Sequence, residues 1–346
     1  MNYFMLAVLS FLCVTLLLSV IIWFSEKYKL YDRNDTVKNN GQSISRLGGI
    51  GVFFTFCFIF ILSAWDTGES PGYYFFIGLF LLFLLGLCDD VYDIKAGTKF
   101  IVQLFIASLL VVYGQVKYPV SLLDSMAINT IIEDIFSVVL LVYVINSFNL
   151  IDGIDGLAAM LGALINLFLG MALALHHEVL YAAMAIVLFG TLSGFLIFNF
   201  SPAKVFMGDS GSMMIGFIST VVALKFIELN LNVFPSVYTG SVLVLALFIV
   251  PLYDTVRVFI IRLRLKKSPF IGDQNHIHHR LRRMGLQDYQ IVLLLAFYTL
   301  MMVFFVYLLQ AVGDFFLCFL LLIFCMSLNS LLDYQLKRRA RSGKLN

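Results

Sequence analysis

The stretch Asn149–Leu175, NLIDGIDGLAAMLGALINLFLGMALAL, changes character at Leu157. From there to Leu175 no side chain carries a formal charge, and such a run is close to the ~20 residues that carry a helix across ~30 Å of hydrocarbon. Ahead of it stand two carboxylates, Asp152 and Asp155, each followed directly by a glycine, Gly153 and Gly156. An apolar span entered through a paired acidic turn is the unit to be explained.

The apolar half of that unit recurs. Eleven runs can be marked, roughly 3–24, 47–65, 72–88, 100–113, 131–148, 157–175, 179–199, 211–227, 240–260, 291–312 and 315–333. The composition agrees, with 61% hydrophobic and 13% charged residues over 346 positions, far from the balance of a soluble domain. The expected fold is all-α: one polytopic membrane domain over 1–346, with polar loops near 25–46, 88–99, 149–157, 200–211 and 262–290. The first run lacks a basic leader and a small-residue cleavage site, so it reads as a span. Cys13, Cys57, Cys88, Cys318 and Cys325 lie in or beside spans without metal-ligand spacing and read as apolar filler. Gly162, Gly170, Gly190 and Gly194 read as close-packing positions between helices. The 35 phenylalanines read as mainly lipid-facing, some lining a groove.

Charge gives the orientation. With eleven spans, 21 of the 23 Lys and Arg fall on one side, leaving Lys117 and Lys225; cytoplasmic loops retain positive charge, so the amino terminus is expected outside and the carboxyl terminus inside. The same sorting places three acidic clusters at the cytoplasmic face: LCDDVYD with Asp89, Asp90 and Asp93, NSFNLIDGIDGL with Asn146, Asn149, Asp152 and Asp155, and VFMGDSGS with Asp209. Singly, each reads as a polar helix end, with Asp209 and Ser210 capping the eighth span. Together they repel one another unless a cation or proton holds them. Oxygen donors at that density suit Mg²⁺ or Mn²⁺ rather than structural zinc, and a divalent cation suggests a phosphate-bearing substrate.

A basic loop supplies a counterpart. Residues 262–286, RLRLKKSPFIGDQNHIHHRLRRMGL, hold three of the five histidines. In a helix, His276 and His279 would share a face by their i, i+3 spacing and His278 would point elsewhere. Imidazoles among cations can hold a phosphate or diphosphate; for Arg262 and Arg264 attraction to anionic head groups is the plainer reading, about 1 kcal/mol per cation. His176 and His177 read as solvated residues of an outer loop. Nucleic acid is not an expected partner.

The motifs SRLGGIGVF (45–53), GLCDDVYDIKAGTKFIVQL (86–104), NSFNLIDGIDGL (146–157), NFSPAKVFMGDSGS (199–212) and SPFIGDQNHIHHRL (268–281) resemble, in order, those of the polyprenyl-phosphate N-acetylhexosamine-1-phosphate transferases. The His-Ile-His-His form is similar to the branch that loads GlcNAc-1-phosphate onto undecaprenyl phosphate. The resemblance implies eleven helices with a cytoplasmic site in the inner membrane of a bacterium, a UDP-N-acetylhexosamine donor, an undecaprenyl phosphate acceptor and release of UMP, as the first step of envelope polysaccharide synthesis. It also implies a homodimer.

Carried over residue by residue, it implies Asn149 and Asp209 as Mg²⁺ ligands with Asp152 close by, and Asp89 and Asp90 as the acidic pair near the acceptor phosphate, one of them its base. Gly153, Ile154, Asp155 and Phe206 are implied as the uridine pocket, with Asn146, Asn199, Arg46 and Arg280 as further substrate contacts. His276, His278 and His279 would meet the diphosphate or sugar. The chain departs from the family form where Lys38, Asn39, Asn40 and Ser45 replace a basic-His run and a proline before Arg46, and at Gln274, often Arg in relatives. Two alternatives stay open: transfer of phospho-MurNAc-pentapeptide or another N-acetylhexosamine phosphate, and an anionic lipid or metabolite transporter with intramembrane carboxylates.

Overall fold

The structure, a computed structural model, describes residues 2–29, 44–114, 116–119, 126–233, 240–267 and 275–341. Among them thirteen α-helices are formed, and the only strand-like pairing is an isolated bridge between Ser45 and Val205. In chain order these are α1 (Tyr3–Tyr28), α2 (Gly48–Thr67), α3 (Tyr73–Tyr92), α4 (Ala96–Gly114), α5 (Met126–Ile151), α6 (Leu157–Leu175), α7 (Val179–Asn199), α8 (Gly208–Val233), α9 (Gly240–Leu247), α10 (Ile249–Arg264), α11 (Ile277–Arg283), α12 (Asp288–Leu308) and α13 (Asp314–Arg341). Among the described residues ten are long and apolar enough to cross a bilayer, and α9 and α10 pass the same test only as a pair, bent by 72° where they meet. The chain is a multi-pass membrane protein.

The run 240–260 reads in sequence as one span, and the break has a local cause. Pro251 has no N–H to give the carbonyl four residues back, Leu247, and its ring crowds that carbonyl. The helix stops at Leu247 and restarts at Ile249.

The chain divides into two compact units, residues 1–226 and 227–346. In the first, α7 packs against α1, α2 and α6. Lipid is as apolar as a leucine side chain, so helices here associate by close packing and a few polar contacts. At Gly194 an added Cβ would lie 2.7 Å from the Phe11 carbonyl oxygen, and at Gly190 it would collide with that of Ala7; the two glycines let α1 approach. Asn166 on α6 donates to Ser219 Oγ on α8 at 2.7 Å, deep in the span, a contact of about 0.6 kcal/mol.

The phenylalanines do not all face lipid. Phe54, Phe58 and Phe105 are exposed, whereas Phe56, Phe60, Phe75 and Phe217 are fully buried and Phe53 stacks on Phe83 at 3.9 Å between centroids. Aromatic packing of α2, α3 and α8 thus takes a large share of them. In the second unit α9 packs against α12 and α13, and the short α11 rests on α12.

Candidate functional site

The loop between α7 and α8 is held in a backbone cradle. Gly48 N donates to Phe206 O at 3.0 Å, Gly49 N to Met207 O at 2.9 Å, and Phe206 N to Ser45 O at 2.9 Å. Ser45 Oγ accepts from Leu47 N at 3.3 Å, a side-chain turn that stiffens the approach to Gly48. At Gly49 a Cβ would come within 2.6 Å of Gly211 N, and at Gly86 within 2.7 Å of the Asp209 carbonyl carbon. The motif glycines of α2 and α3 therefore let the start of α8 seat between these helices.

The three neighbouring aspartates at the end of α3 take three different roles. Asp93 occupies the left-handed region at φ 49° and ends the helix, a conformation aspartate tolerates. Asp90 reaches α8: its Oδ1 accepts from Asp209 N at 2.9 Å, and its Oδ2 from Ser210 N at 3.3 Å and Ser210 Oγ at 3.1 Å. It caps α8 from another helix, the role the sequence alone had suggested for Asp209 and Ser210. Asp89, 9% exposed, accepts from Ile94 N at 2.8 Å and pairs with Lys99 Nζ at 2.6 Å.

Lys99 is the residue that sequence reasoning left out of the site, counting it only as loop charge. Its ammonium also lies 3.0 Å from Asp209 Oδ2, so one cation bridges Asp89 and Asp209. The available signal was its place ten residues after Asp89, inside the quoted motif. Asn149 hydrogen-bonds to Asp209 and approaches Ser212 Oγ at 3.4 Å.

Beside this cluster lies a cavity of about 300 Å³ lined by Arg46, Asp90, Asp152, Gly153, Ile154, Asp155, Asn199, Phe206, Met207, Gly208 and Asp209. Its walls are set by stitching contacts. Asn199 Oδ1 accepts from Gly156 N at 3.0 Å while its Nδ2 donates to Val205 O at 2.9 Å, and Asp155 Oδ2 accepts from Ala203 N at 3.2 Å. Gly156 sits at φ 84°, where a side chain would be strained. Asn199 and Asp155 thus hold the acidic turn against the α7–α8 loop. Burial, the charges of Asp209, Asp90 and Asp155, and only partial relief from Arg46 hold the half-buried Asp152 carboxyl well above the usual carboxylate range. Asn146 points elsewhere: its Nδ2 donates to Gln103 Oε1 at 2.6 Å and Val142 O at 2.7 Å, tying α5 to α4.

The donor set fits a hard cation only with help. Among the described residues no three His, Cys, Asp or Glu side chains stand close enough to enclose a metal by themselves. Asp209 and Asn149 are hydrogen-bonded neighbours, each with a side-chain oxygen a hard cation could use once the amide turns, and magnesium is commonly held by one or two carboxylates with substrate phosphates and water completing its shell.

In the second unit the His-Ile-His-His segment is arranged differently from a continuous helix. α11 begins at Ile277, leaving His276 extended at φ −58°, ψ 151°. The ring of His276 therefore lies parallel to that of His278, 5.7 Å between centroids, instead of sharing a face with His279. His276 Nδ1 is 2.8 Å from Asp254 Oδ2. His278 is 1% exposed, and neither ring nitrogen has a hydrogen-bond partner among the described residues. Burial, with His279 beside it, pushes its imidazole down to about 3. Burial and nearby Arg282 also lower His279.

Arg280 is turned toward α13, donating to Asn329 Oδ1 at 2.5 Å and pairing with Asp333. Arg262 is 2% exposed, so the head-group reading applies to Arg264 and not to it. Lys38, Asn39, Asn40 and Gln274 lie outside the described residues.

Residues 73–227 match the family model described as glycosyl transferase family 4. The chain is 30% identical over 298 residues to a probable undecaprenyl-phosphate N-acetylglucosaminyl 1-phosphate transferase of Bacillus subtilis, covering 83% of this chain and 79% of the relative. It is 34% identical over 281 residues to the decaprenyl-phosphate N-acetylglucosaminephosphotransferase of Mycolicibacterium smegmatis, covering 73% and 69%. A Thermotoga maritima undecaprenyl-phosphate alpha-N-acetylglucosaminyl 1-phosphate transferase is 29% identical over 85% of this chain and 86% of its own. With its membrane helices, its ordered motifs and these relatives, the chain belongs to the polyprenyl-phosphate N-acetylhexosamine-1-phosphate transferase family.

Proposed function

We propose that the protein transfers GlcNAc-1-phosphate from UDP-GlcNAc to undecaprenyl phosphate, releasing UMP, at the cytoplasmic face of a bacterial inner membrane. The observation that carries this reading is the cavity in which Phe206, Arg46 and the acidic turn Asp152–Asp155 meet the Asp89–Lys99–Asp209 cluster. A flat aromatic face, a guanidinium and a cation-ready carboxylate edge suit a nucleoside diphosphate. The names of the relatives supply the acceptor and the sugar phosphate.

The reaction is attack by an acceptor phosphate oxygen on the β-phosphorus of the donor, with cleavage of its bond to the bridging oxygen and departure of UMP. A phosphate monoester is largely dianionic near neutrality, its second pKa being about 6, and is itself the nucleophile. Direct attack fits the carboxylates. Both oxygens of Asp90 are given to the start of α8, and those of Asp89 to Ile94 N and Lys99. Neither is free to form a covalent intermediate without first breaking those contacts.

Asp209 and Asn149 would hold Mg²⁺ or Mn²⁺, which when bound offsets the negative charge of the diphosphate. Lys99 brings fixed positive charge to the same edge, and Arg46 to the cavity wall. From the resemblance, His276, His278 and His279 are assigned contacts with the diphosphate or sugar; His278 has an unused donor and acceptor to give. A homodimer belongs to the same proposal and is checked by native mass spectrometry.

The test is UMP release by purified protein in detergent from UDP-GlcNAc, with and without undecaprenyl phosphate, in Mg²⁺ or EDTA. Release that needs both lipid and metal is expected. Release from UDP-MurNAc-pentapeptide alone, or from another UDP-N-acetylhexosamine alone, would reassign the sugar; silence with every donor would overturn the reading.

A further inference from the structure

The ring of His276 is held by an acid that the sequence motifs do not contain. Asp254 sits on α10, 2% exposed, near the end of an apolar span. Its Oδ1 accepts from Arg257 Nη2 at 2.7 Å and from Ile277 N at 2.9 Å, and its Oδ2 faces His276 Nδ1 at 2.8 Å. Arg257 also donates to the Asn275 carbonyl. One carboxylate therefore ties together the residues that open the His-Ile-His-His segment.

An ionised carboxylate can only accept, so the partner that faces it must bring the proton. Arg257 and the Ile277 amide are donors by nature. His276 has a choice of tautomer, and here the proton is placed on Nδ1, leaving Nε2 as the ring's acceptor, or as a second donor once the ring is charged. Contact on one edge also stops the imidazole from flipping. A carboxylate behind a working histidine acts in this way at other kinds of site.

Stability alone is a poor account of the arrangement. Replacing a buried ion pair with apolar side chains of similar volume is often neutral or stabilising, and ionisable groups within apolar spans are costly. The group of Asp254, Arg257 and His276 is explained better by what it aligns.

We propose that Asp254 is a positioning residue: it fixes the tautomer and ring orientation of His276 and, through the Ile277 amide and the grip of Arg257 on the Asn275 carbonyl, the start of the His-Ile-His-His segment. The use of that alignment in sugar-phosphate transfer rests on the functional reading above.

The experiment uses the full chain in detergent with ¹⁵N-labelled histidine. The resonances that disappear in His276→Gln identify this ring, and its ¹⁵N shifts report which nitrogen is protonated. In the wild type Nδ1 is expected to be protonated, and in Asp254→Asn that preference is lost. Turnover of Asp254→Asn should fall about 10- to 100-fold in kcat with little change in KM for the lipid, and the double variant should be no slower than His276→Gln alone.

An unchanged signature in Asp254→Asn, or losses that multiply in the double variant, would overturn the proposal. Should Asp254→Asn fail to fold, the wild-type spectrum still decides, because a bare Nδ1 on His276 would overturn it. If the wild type transfers no sugar phosphate, the functional reading fails, while the ¹⁵N arm still supports or overturns the pairing.

Discussion

The acidic end of the first unit and the histidine segment of the second are both rich in ionisable groups, yet they are balanced differently. Around the cavity five carboxylates, Asp89, Asp90, Asp152, Asp155 and Asp209, stand with two cations, Lys99 and Arg46. Around the histidine segment each of these carboxylates is paired: Asp254 with Arg257 and His276, Asp333 with Arg280, and Asp288 with Arg282. A surplus of one sign costs folding free energy until a ligand arrives, whereas a matched set is complete without one. Surplus charge therefore marks where something binds, and matched charge marks what holds the binder in shape. The division runs even through adjacent residues, since the charge of Asp90 is met by the positive end of α8 while Asp89 shares Lys99 with Asp209.

The largest effect should come from the surplus itself. Asp209→Asn removes the carboxylate that Lys99 and Asn149 share and is expected to lower UMP release at least about 100-fold while the protein stays folded, with a raised metal requirement in a Mg²⁺ titration. Full turnover at ordinary Mg²⁺ would remove Asp209 from the metal site.

The Asp89–Asp90 pair tests the division directly. Asp90→Ala leaves the first amides of α8 without their acceptor, and loss of a helix cap costs about 0.5–2 kcal/mol. Thermal unfolding should shift to lower temperature together with a drop in activity. Asp89→Asn should cut turnover with a smaller thermal shift, because its partners are Lys99 and one loop amide. Equal thermal shifts in the two variants would erase the distinction.

A purely steric probe comes next. At Gly86 an added Cβ meets backbone of Asp209 and Ser210 rather than a movable side chain, so Gly86→Ala should cost about 1–3 kcal/mol, as overpacking does. The loss should appear in the unfolding midpoint and in metal affinity alike, since α8 is pushed away with Asp209 on it. Gly97→Ala, with nothing within reach of the new Cβ, is the control.

Much of this was legible in the sequence, and the reasons differ by level. Uncharged runs near twenty residues report the spans because burial in hydrocarbon is a one-dimensional constraint. Even the broken span carried its signal in Pro251. The ordered motifs identified Asp89, Asp90, Asn149, Asp152 and Asp209 as residues of one neighbourhood, and the first unit brings them to one end. Individual roles were hidden, because capping of α8 by Asp90, bridging by Lys99, the tie from Asn146 to Gln103 and the hold of Asp254 on His276 are contacts across 22 to 120 residues of chain. Local pattern does not encode which oxygen meets which nitrogen at such separations. His276 likewise stands outside α11 and faces Asp254, a pairing that helical spacing does not encode.

The smallest effect concerns His278, and its sign follows from the linkage between proton binding and folding. Its imidazole titrates near 3 when folded, against 6.5 when free in the unfolded chain. Between those values the unfolded state binds a proton that the folded state refuses, so stability rises with pH there and is lost as pH falls. Above about 6.5 both states are neutral and the residue contributes no slope. The contribution is bounded at about 1.4 kcal/mol per pH unit inside that window. Replacing His278 with Gln keeps a polar side chain of similar reach but removes the titration, so the pH dependence of the unfolding midpoint between pH 6.5 and 4 should flatten, whatever the change in absolute stability. An unchanged slope would mean that the ring takes up a proton within the folded protein. The neutral donor and acceptor assigned to His278 would then be lost.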